Sequence, residues 1–197
     1  MIAPLKTINM IVAALGGEGG GVLTNWLIEV AKRSGWYCQS TSLAGVAQRT
    51  GATIYYLEFI PRSKNQPEPV MSLFPAQGDI DIAVTSEIAE AGRMISRGFI
   101  SPERTTLISS DHRVYGITEK SATADGTADT AFILDLSARY ANRFVHFDLL
   151  ELVQRHGTVI SAGLFGAIAG AGVLPFQRDV FTEVLAAGKG AAANRAA

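Results

Sequence analysis

The chain has 197 residues, 48 % of them hydrophobic, enough for one large or two small domains with a substantial core. Seventeen basic against eighteen acidic residues, with no local basic stripe, argue against a binder of nucleic acid or of an acidic membrane. The single cysteine, Cys38, excludes a disulfide framework within the chain and the ligand set of an iron–sulfur cluster; it fits a reducing compartment, as a small apolar residue in the second strand.

Residues 8–15 are a short apolar run with the length and branching of a buried parallel strand. Lys6 ahead of this run imitates the start of a signal peptide. The glycine turn and long amphipathic helix behind the run suit a first βα unit far better, so the chain is expected in the cytoplasm. Residues 16–21 read Gly16-Gly17-Glu18-Gly19-Gly20-Gly21, five glycines in six positions. Behind them Val22, Leu23, Trp26, Leu27, Val30 and Ala31 recur at helical spacing, with Glu29 and Arg33 placed for an i,i+4 pair. The glycines are therefore a strand-to-helix turn, free to take positive φ and to let another surface approach the main chain. The helix's first N–H groups and its positive dipole end favour an anion there by roughly 0.3–1 kcal/mol when exposed. A tight turn without a ligand is the alternative, since a glycine-rich turn alone is a weak motif.

Gly35 ends this helix, and residues 37–42 read as a second strand. A dinucleotide-binding unit needs an acid about 20 residues beyond its glycines, and residues 36–42 hold none, which disfavours NAD. Ser40, Thr41 and Ser42 could face a 2′-phosphate, yet the nearest arginine is Arg49, which leaves NADP weak. The loop Gly45-Val46-Ala47-Gln48-Arg49-Thr50-Gly51 then precedes an apolar strand over residues 53–59. Gln48 and Arg49, between two glycines at the mouth of a sheet, are candidate contacts with a ligand or partner. The five donors of Arg49 suit a carboxylate or phosphate; its alternative role is to satisfy loop carbonyls.

Here the pattern becomes specific. Leu-Gly-Gly-Glu-Gly-Gly-Gly-Val-Leu, followed by Gln-Ser-Thr-Ser and Gly-Val-Ala-Gln-Arg-Thr-Gly-Ala-Thr-Ile-Tyr-Tyr, resembles the gamma-type domain of 2-oxoacid:ferredoxin oxidoreductases, and within it the beta subunits of indolepyruvate ferredoxin oxidoreductases. The chain departs from the family's commoner Gly-x-Gly-Gly-Gln-Gly turn: Glu18 takes the third position and Gly20 replaces the glutamine. It also has Ala44 where the family often has histidine, so roles tied to that glutamine or histidine do not carry over.

Residues 61–75 hold four of the seven prolines and read as an exposed loop. Residues 80–85 are the next strand, and Ser86 is the expected cap of a helix over 87–97 closed by Gly98. Glu87 stands where the sheet meets this helix, a usual position for a functional acid and equally one for an acid matched to the helix dipole; the family also tends to carry Glu here. Residues 105–109 and 114–118 suggest two strands around an Asp111-His112 turn, a pair explained by turn chemistry since no nucleophile elbow or metal-ligand pattern accompanies it. Asp125-Gly126 lacks the rest of a thiamine-diphosphate motif. A helix over 130–143 and a short strand over 144–147 come next, with His146 and His156 read as structural. Residues 158–174 are apolar and Gly/Ala-rich, at the lower length limit of a membrane span but without aromatic or basic flanks, hence a buried, closely packed helix. A short helix over 177–185 and a small, polar tail over 188–197 complete the chain.

These elements predict one three-layer α/β, Rossmann-like domain around a mainly parallel sheet, spanning residues 1–197. In the family the pattern in Ala193-Asn194-Arg195-Ala196-Ala197 runs on into an aromatic residue and a glycine, so the sequence is expected to be one domain cut from a longer subunit. The resemblance implies a complex that decarboxylates a 2-oxoacid, an aryl pyruvate for the indolepyruvate type, on thiamine diphosphate. Electrons then pass through iron–sulfur clusters to ferredoxin, and an acyl-CoA is released. With no thiamine-diphosphate motif and one cysteine, those cofactors are expected on a partner alpha subunit, while Gly16 to Gly21, Gln48 and Arg49 offer an anion-tolerant wall toward the partner or the CoA phosphates. A stand-alone nucleotide-binding domain and a noncatalytic assembly domain are the competing readings.

Overall fold

The computed structural model describes residues 7–43, 52–63, 69–115, 129–188 and 190–197. The chain runs β1 (Ile8–Ala14), α1 (Gly20–Arg33), β2 (Trp36–Leu43), β3 (Thr53–Pro61), β4 (Ile82–Thr85), α2 (Ile88–Ser96), β5 (Thr106–Ser110), α3 (Thr130–Tyr140), β6 (Arg143–Phe147), α4 (Leu149–Arg155), α5 (Ile160–Ala171), α6 (Arg178–Ala186) and α7 (Ala191–Ala196).

The strands make one six-stranded sheet in the order β2-β3-β1-β4-β5-β6. β1, β4, β5 and β6 pair in parallel, while β3 is antiparallel to both β1 and β2. A dinucleotide-binding unit has its second strand parallel beside the first; here β3 fills that place. Side chains alternate along β1 and sort the core into two layers. Met10 and Val12 join Leu23, Leu27 and Val30 of α1 and Leu164 and Phe165 of α5, whereas Ile11 and Ala13 join Ile88, Ala91 and Met94 of α2 and Ile133 of α3. The three-layer arrangement and the mostly parallel sheet are as the sequence predicts. Glu29 and Arg33 pair at 2.9 Å on the outer face of α1, and Gly35 closes that helix's end at φ 75°.

Other expectations are corrected. Val114 and Tyr115 lie in no strand, and residues 116–128, which include Asp125 and Gly126, are outside the described residues. The helix expected to reach Arg143 stops at Tyr140, because the N–H of Asn142 bonds to Thr105 O at 2.9 Å and pulls the chain into β6. Gly172, at φ 64°, ends α5. The tail carries α7 with Asn194 buried. Among the described residues no helix is long and apolar enough to cross a membrane.

Candidate functional site

At the end of β1, Ala14 pairs with Thr53, so the described residues bordering 44–51 lie beside the glycine turn. Gln48 and Arg49 themselves are outside the described residues. The glycines of the turn have separable reasons. Gly17 and Gly19 hold φ of 91° and 78°, a region closed to most side chains. Gly20 has no positive φ: it opens α1, and a Cβ there would lie 2.6 Å from Tyr55 Cε2 and 2.7 Å from Ala14 Cβ. Gly16 meets nothing within 4 Å, and Gly21 only the Tyr55 hydroxyl at 3.6 Å. Gly19 accepts the first helical bond, from Leu23 N at 2.9 Å, and offers no side-chain cap. Helix geometry then leaves the N–H groups of Gly20, Gly21 and Val22 without intrahelical acceptors, beside the exposed Gly16 and Gly17.

The turn's own acid does not point outward. Glu18 accepts hydrogen bonds from Leu15 N at 3.3 Å and from the Ser86 hydroxyl, and faces His112 Nε2 at 3.4 Å. Burial pushes its carboxyl up, but the hydrogen bonds from His112 and Ser86, the charge His112 gains on protonation and the Leu15 N–H outweigh it. The group therefore titrates below its ordinary value. Behind His112, Ser110 Oγ lies 2.8 Å from Nδ1 and accepts Leu149 N at 3.1 Å. With Nε2–H donated to Glu18, a neutral His112 accepts the Ser110 proton at Nδ1, and a protonated one donates Nδ1–H to Ser110 Oγ. The order Ser110–His112–Glu18 resembles a nucleophile triad, yet Ser110 has no exposed surface, so it presents no nucleophile.

Ser86, expected to cap α2, instead ties Glu18 to Leu15 N, which it meets at 3.1 Å. Glu87 is the cap: its Oε2 accepts Ala89 N at 3.2 Å. The same oxygen faces Arg113 Nη1 and Val114 N, both at 3.4 Å, with the Glu87 side chain 1 % exposed and that of Arg113 8 %. Glu18 and Glu87 thus act together as two clamps on the segment after β5. Sequence reasoning missed His112 and Ser110 as members of this network, and it missed that His146 bonds Asp111 at 2.9 Å. One signal was available: in a parallel sheet, residues that follow β4 and β5 arrive at the same end as the turn that follows β1.

Cys38, half-buried in β2, has its thiol pushed up to about 12 by burial, which keeps it protonated. Among the described residues no group of three His, Cys, Asp or Glu is placed to hold a metal.

Residues 9–197 match the family described as pyruvate ferredoxin/flavodoxin oxidoreductase. The chain belongs to that family. Indolepyruvate oxidoreductase subunit IorB of Thermococcus kodakarensis is 23 % identical over 186 residues, 92 % of this chain and 86 % of that subunit. Among solved structures, the gamma subunit of a keto/oxoacid ferredoxin oxidoreductase from Geobacter sulfurreducens superposes with a TM-score of 0.59 at 12 % identity, covering 96 % of this chain and 93 % of that one. The 2-oxoglutarate:ferredoxin oxidoreductase from Magnetococcus marinus, solved with 2-oxoglutarate, coenzyme A and succinyl-CoA bound, superposes with a TM-score of 0.62 at 11 % identity over 98 % of this chain. This family member spans only 30 % of that longer chain. At these identities the solved structures establish the fold.

Proposed function

We propose that this family member is the subunit without redox cofactors in a thiamine-diphosphate-dependent 2-oxoacid:ferredoxin oxidoreductase acting on aryl pyruvates such as indolepyruvate and releasing an acyl-CoA. The observation that carries the reading is the likeness to subunit IorB over 92 % of this chain, joined to a sequence with one cysteine. Thiamine diphosphate and the iron–sulfur clusters then belong to a partner alpha subunit, which hands electrons to ferredoxin. This chain's share is at the carboxyl ends of its strands. The N–H groups of Gly20, Gly21 and Val22 present donors to an anion, and the exposed Gly16 and Gly17 let a large group come close. A CoA phosphate or the substrate carboxylate fits that chemistry, with the side chains of Gln48 and Arg49 as further candidate donors. The inward turn of Glu18 favours this use, because its carboxylate would repel an anion if it faced the donors.

The test is to purify the native complex through a tag on this chain, identify the partner, and assay indolepyruvate- and CoA-dependent reduction of a one-electron dye. Activity is expected in the complex, and the isolated chain should be colourless and inactive. Oxoacid oxidation or bound iron in the isolated chain would overturn the division of labour; nucleotide binding without any oxoacid-oxidising partner would favour a stand-alone nucleotide-binding domain.

A further inference from the structure

A groove of ≈ 620 Å³ opens along α5, bounded by β6, α4, α6 and α7. Its floor is made of small residues, and two of them lack an internal reason. Gly163 has one: a Cβ there would meet Val153 at 2.9 Å and Leu149 at 3.1 Å, so α4 packs on it. Gly166 and Gly170 are exposed in the same helix, and a Cβ at either would meet nothing within 4 Å. Glycine inside a helix is less favourable than alanine, so two such positions at i,i+4 are a cost that packing within the described residues does not explain.

The charge around the groove is one-sided. Arg143, Arg178 and Arg195 line it, and no Asp or Glu does, although the whole chain carries a net charge of −1. Arg143 donates to Ala171 O at 2.8 Å, and neither Arg178 nor Arg195 forms an ion pair among the described residues. Arg178 also opens α6, at the positive end of that helix's dipole, where a cation is unfavourable. On the β6 side Phe147 is 40 % exposed, on a strand at the edge of the sheet.

We propose that this groove docks an amphipathic helix of the partner subunit, with apolar residues seated over Gly166 and Gly170 and Asp or Glu side chains at its flanks meeting the three arginines. Small residues at i,i+4 let another helix come to close range, and arginines lining the groove without an acid beside them fit carboxylates on the incoming helix. The proposal rests on the functional reading above, which supplies a partner subunit.

The experiment uses the thiamine-diphosphate-bearing subunit that copurifies with the tagged chain, separated and titrated back. Two variants carry it: Gly166→Leu with Gly170→Leu, which fills the groove, and Arg178→Glu with Arg195→Glu, which reverses its charge. Each should raise the Kd at least tenfold. The leucine variant should melt no lower than wild type, and the charge reversal should flatten the salt dependence of binding. Kd values within twofold of wild type for both variants would overturn the proposal and leave the functional reading intact. Failure of the tagged chain to bring down any thiamine-diphosphate-bearing subunit would remove both. Self-association of the wild-type chain, abolished by the leucines, would assign the groove to a second copy and overturn the proposal as stated.

Discussion

The three glycines at the start of α1 should respond differently to the same added methyl group. In Gly20→Ala the Cβ has Tyr55 on one side and the strand-borne Ala14 on the other. Overpacking of this kind costs about 1–3 kcal/mol, or roughly 2–4 °C of melting temperature per kcal/mol at this size. Gly19→Ala should cost about 1–2 kcal/mol for the left-handed backbone alone, and more if Ser161, whose Oγ would lie 2.7 Å from the new Cβ, cannot yield. Gly21→Ala adds only ordinary contact with Tyr55, so its denaturation midpoint should equal or exceed that of wild type. Equal loss in all three variants would show that the turn depends on chain flexibility and not on these contacts. Glu18 gives a second prediction at this scale. Its folded value lies below the ordinary one, so the stability it adds is present above about pH 4.3 and is lost as pH falls through the lower, folded value. Urea midpoints of wild type and Glu18→Gln should therefore differ most above that range and converge on acidification. A gap that stays constant down to about pH 3, well below the ordinary carboxylate value, would mean Glu18 gains nothing from His112, Ser86 and Leu15 N–H.

Between elements, the ordering device is the segment after β5, held through His112 to Glu18 and through Arg113 to Glu87. Removing Glu87 by alanine takes away the cap of α2 and the carboxylate facing Arg113, in a site where both side chains are buried. Breaking a buried pair from one side costs about 3–5 kcal/mol, with about 1 kcal/mol for the cap as a further loss. Amide exchange should quicken first at the start of α2 and along residues 111–115, and Glu87→Gln, which keeps an acceptor, should lie between the two. Exchange confined to α2, with 111–115 as protected as in wild type, would show that Arg113 does not depend on Glu87. The same elements mark what the sequence could and could not disclose. β1, α1, β4 and α2 are legible because an apolar run or a 3.6-residue period is a local signal, and the glycine turn is legible because its residues are consecutive. The direction of β3 is not, since a buried strand reads alike whichever way it pairs. α4 is seven residues long, too short to set a period, and it escapes notice. The Glu18–His112 contact joins residues 94 apart in the chain, and nothing near His112 separates it from an ordinary turn histidine.

Across the whole molecule the two ends of the sheet are built for different purposes. At the amino end Arg104 forks onto Asp81 at 2.8 and 3.0 Å, Asp81 also accepts Asn9 N at 2.8 Å, and Asn9 Nδ2 donates to Asp79 O at 3.0 Å, a set of bonds within the fold. At the carboxyl end the first N–H groups of α1 have no intrahelical acceptors, while the nearby acids are held by Ser86, His112 and Arg113. This asymmetry supports the proposal that an anion is received at the carboxyl end, and that proposal gives the residue at position 49 its test. β2 ends at Leu43, paired to Ile54, and β3 begins at Thr53, paired to Ala14 at the edge of the glycine turn; Arg49 falls between them in the sequence, outside the described residues. Arg49→Lys keeps the charge and loses the planar fork; Arg49→Ala loses both. If Arg49 positions a reacting anion, the lysine variant should assemble normally and turn over about ten- to a hundredfold more slowly, the worth of a lost charge-assisted hydrogen bond of roughly 1.5–3 kcal/mol. If it binds the partner instead, alanine should raise the subunit dissociation constant while the assembled enzyme keeps its rate. Steady-state kinetics of the complex beside a subunit titration separate the two. Wild-type values for both variants in both assays would take Arg49 out of the site and leave Gln48 and the helix N–H groups after Gly19 as the named anion donors.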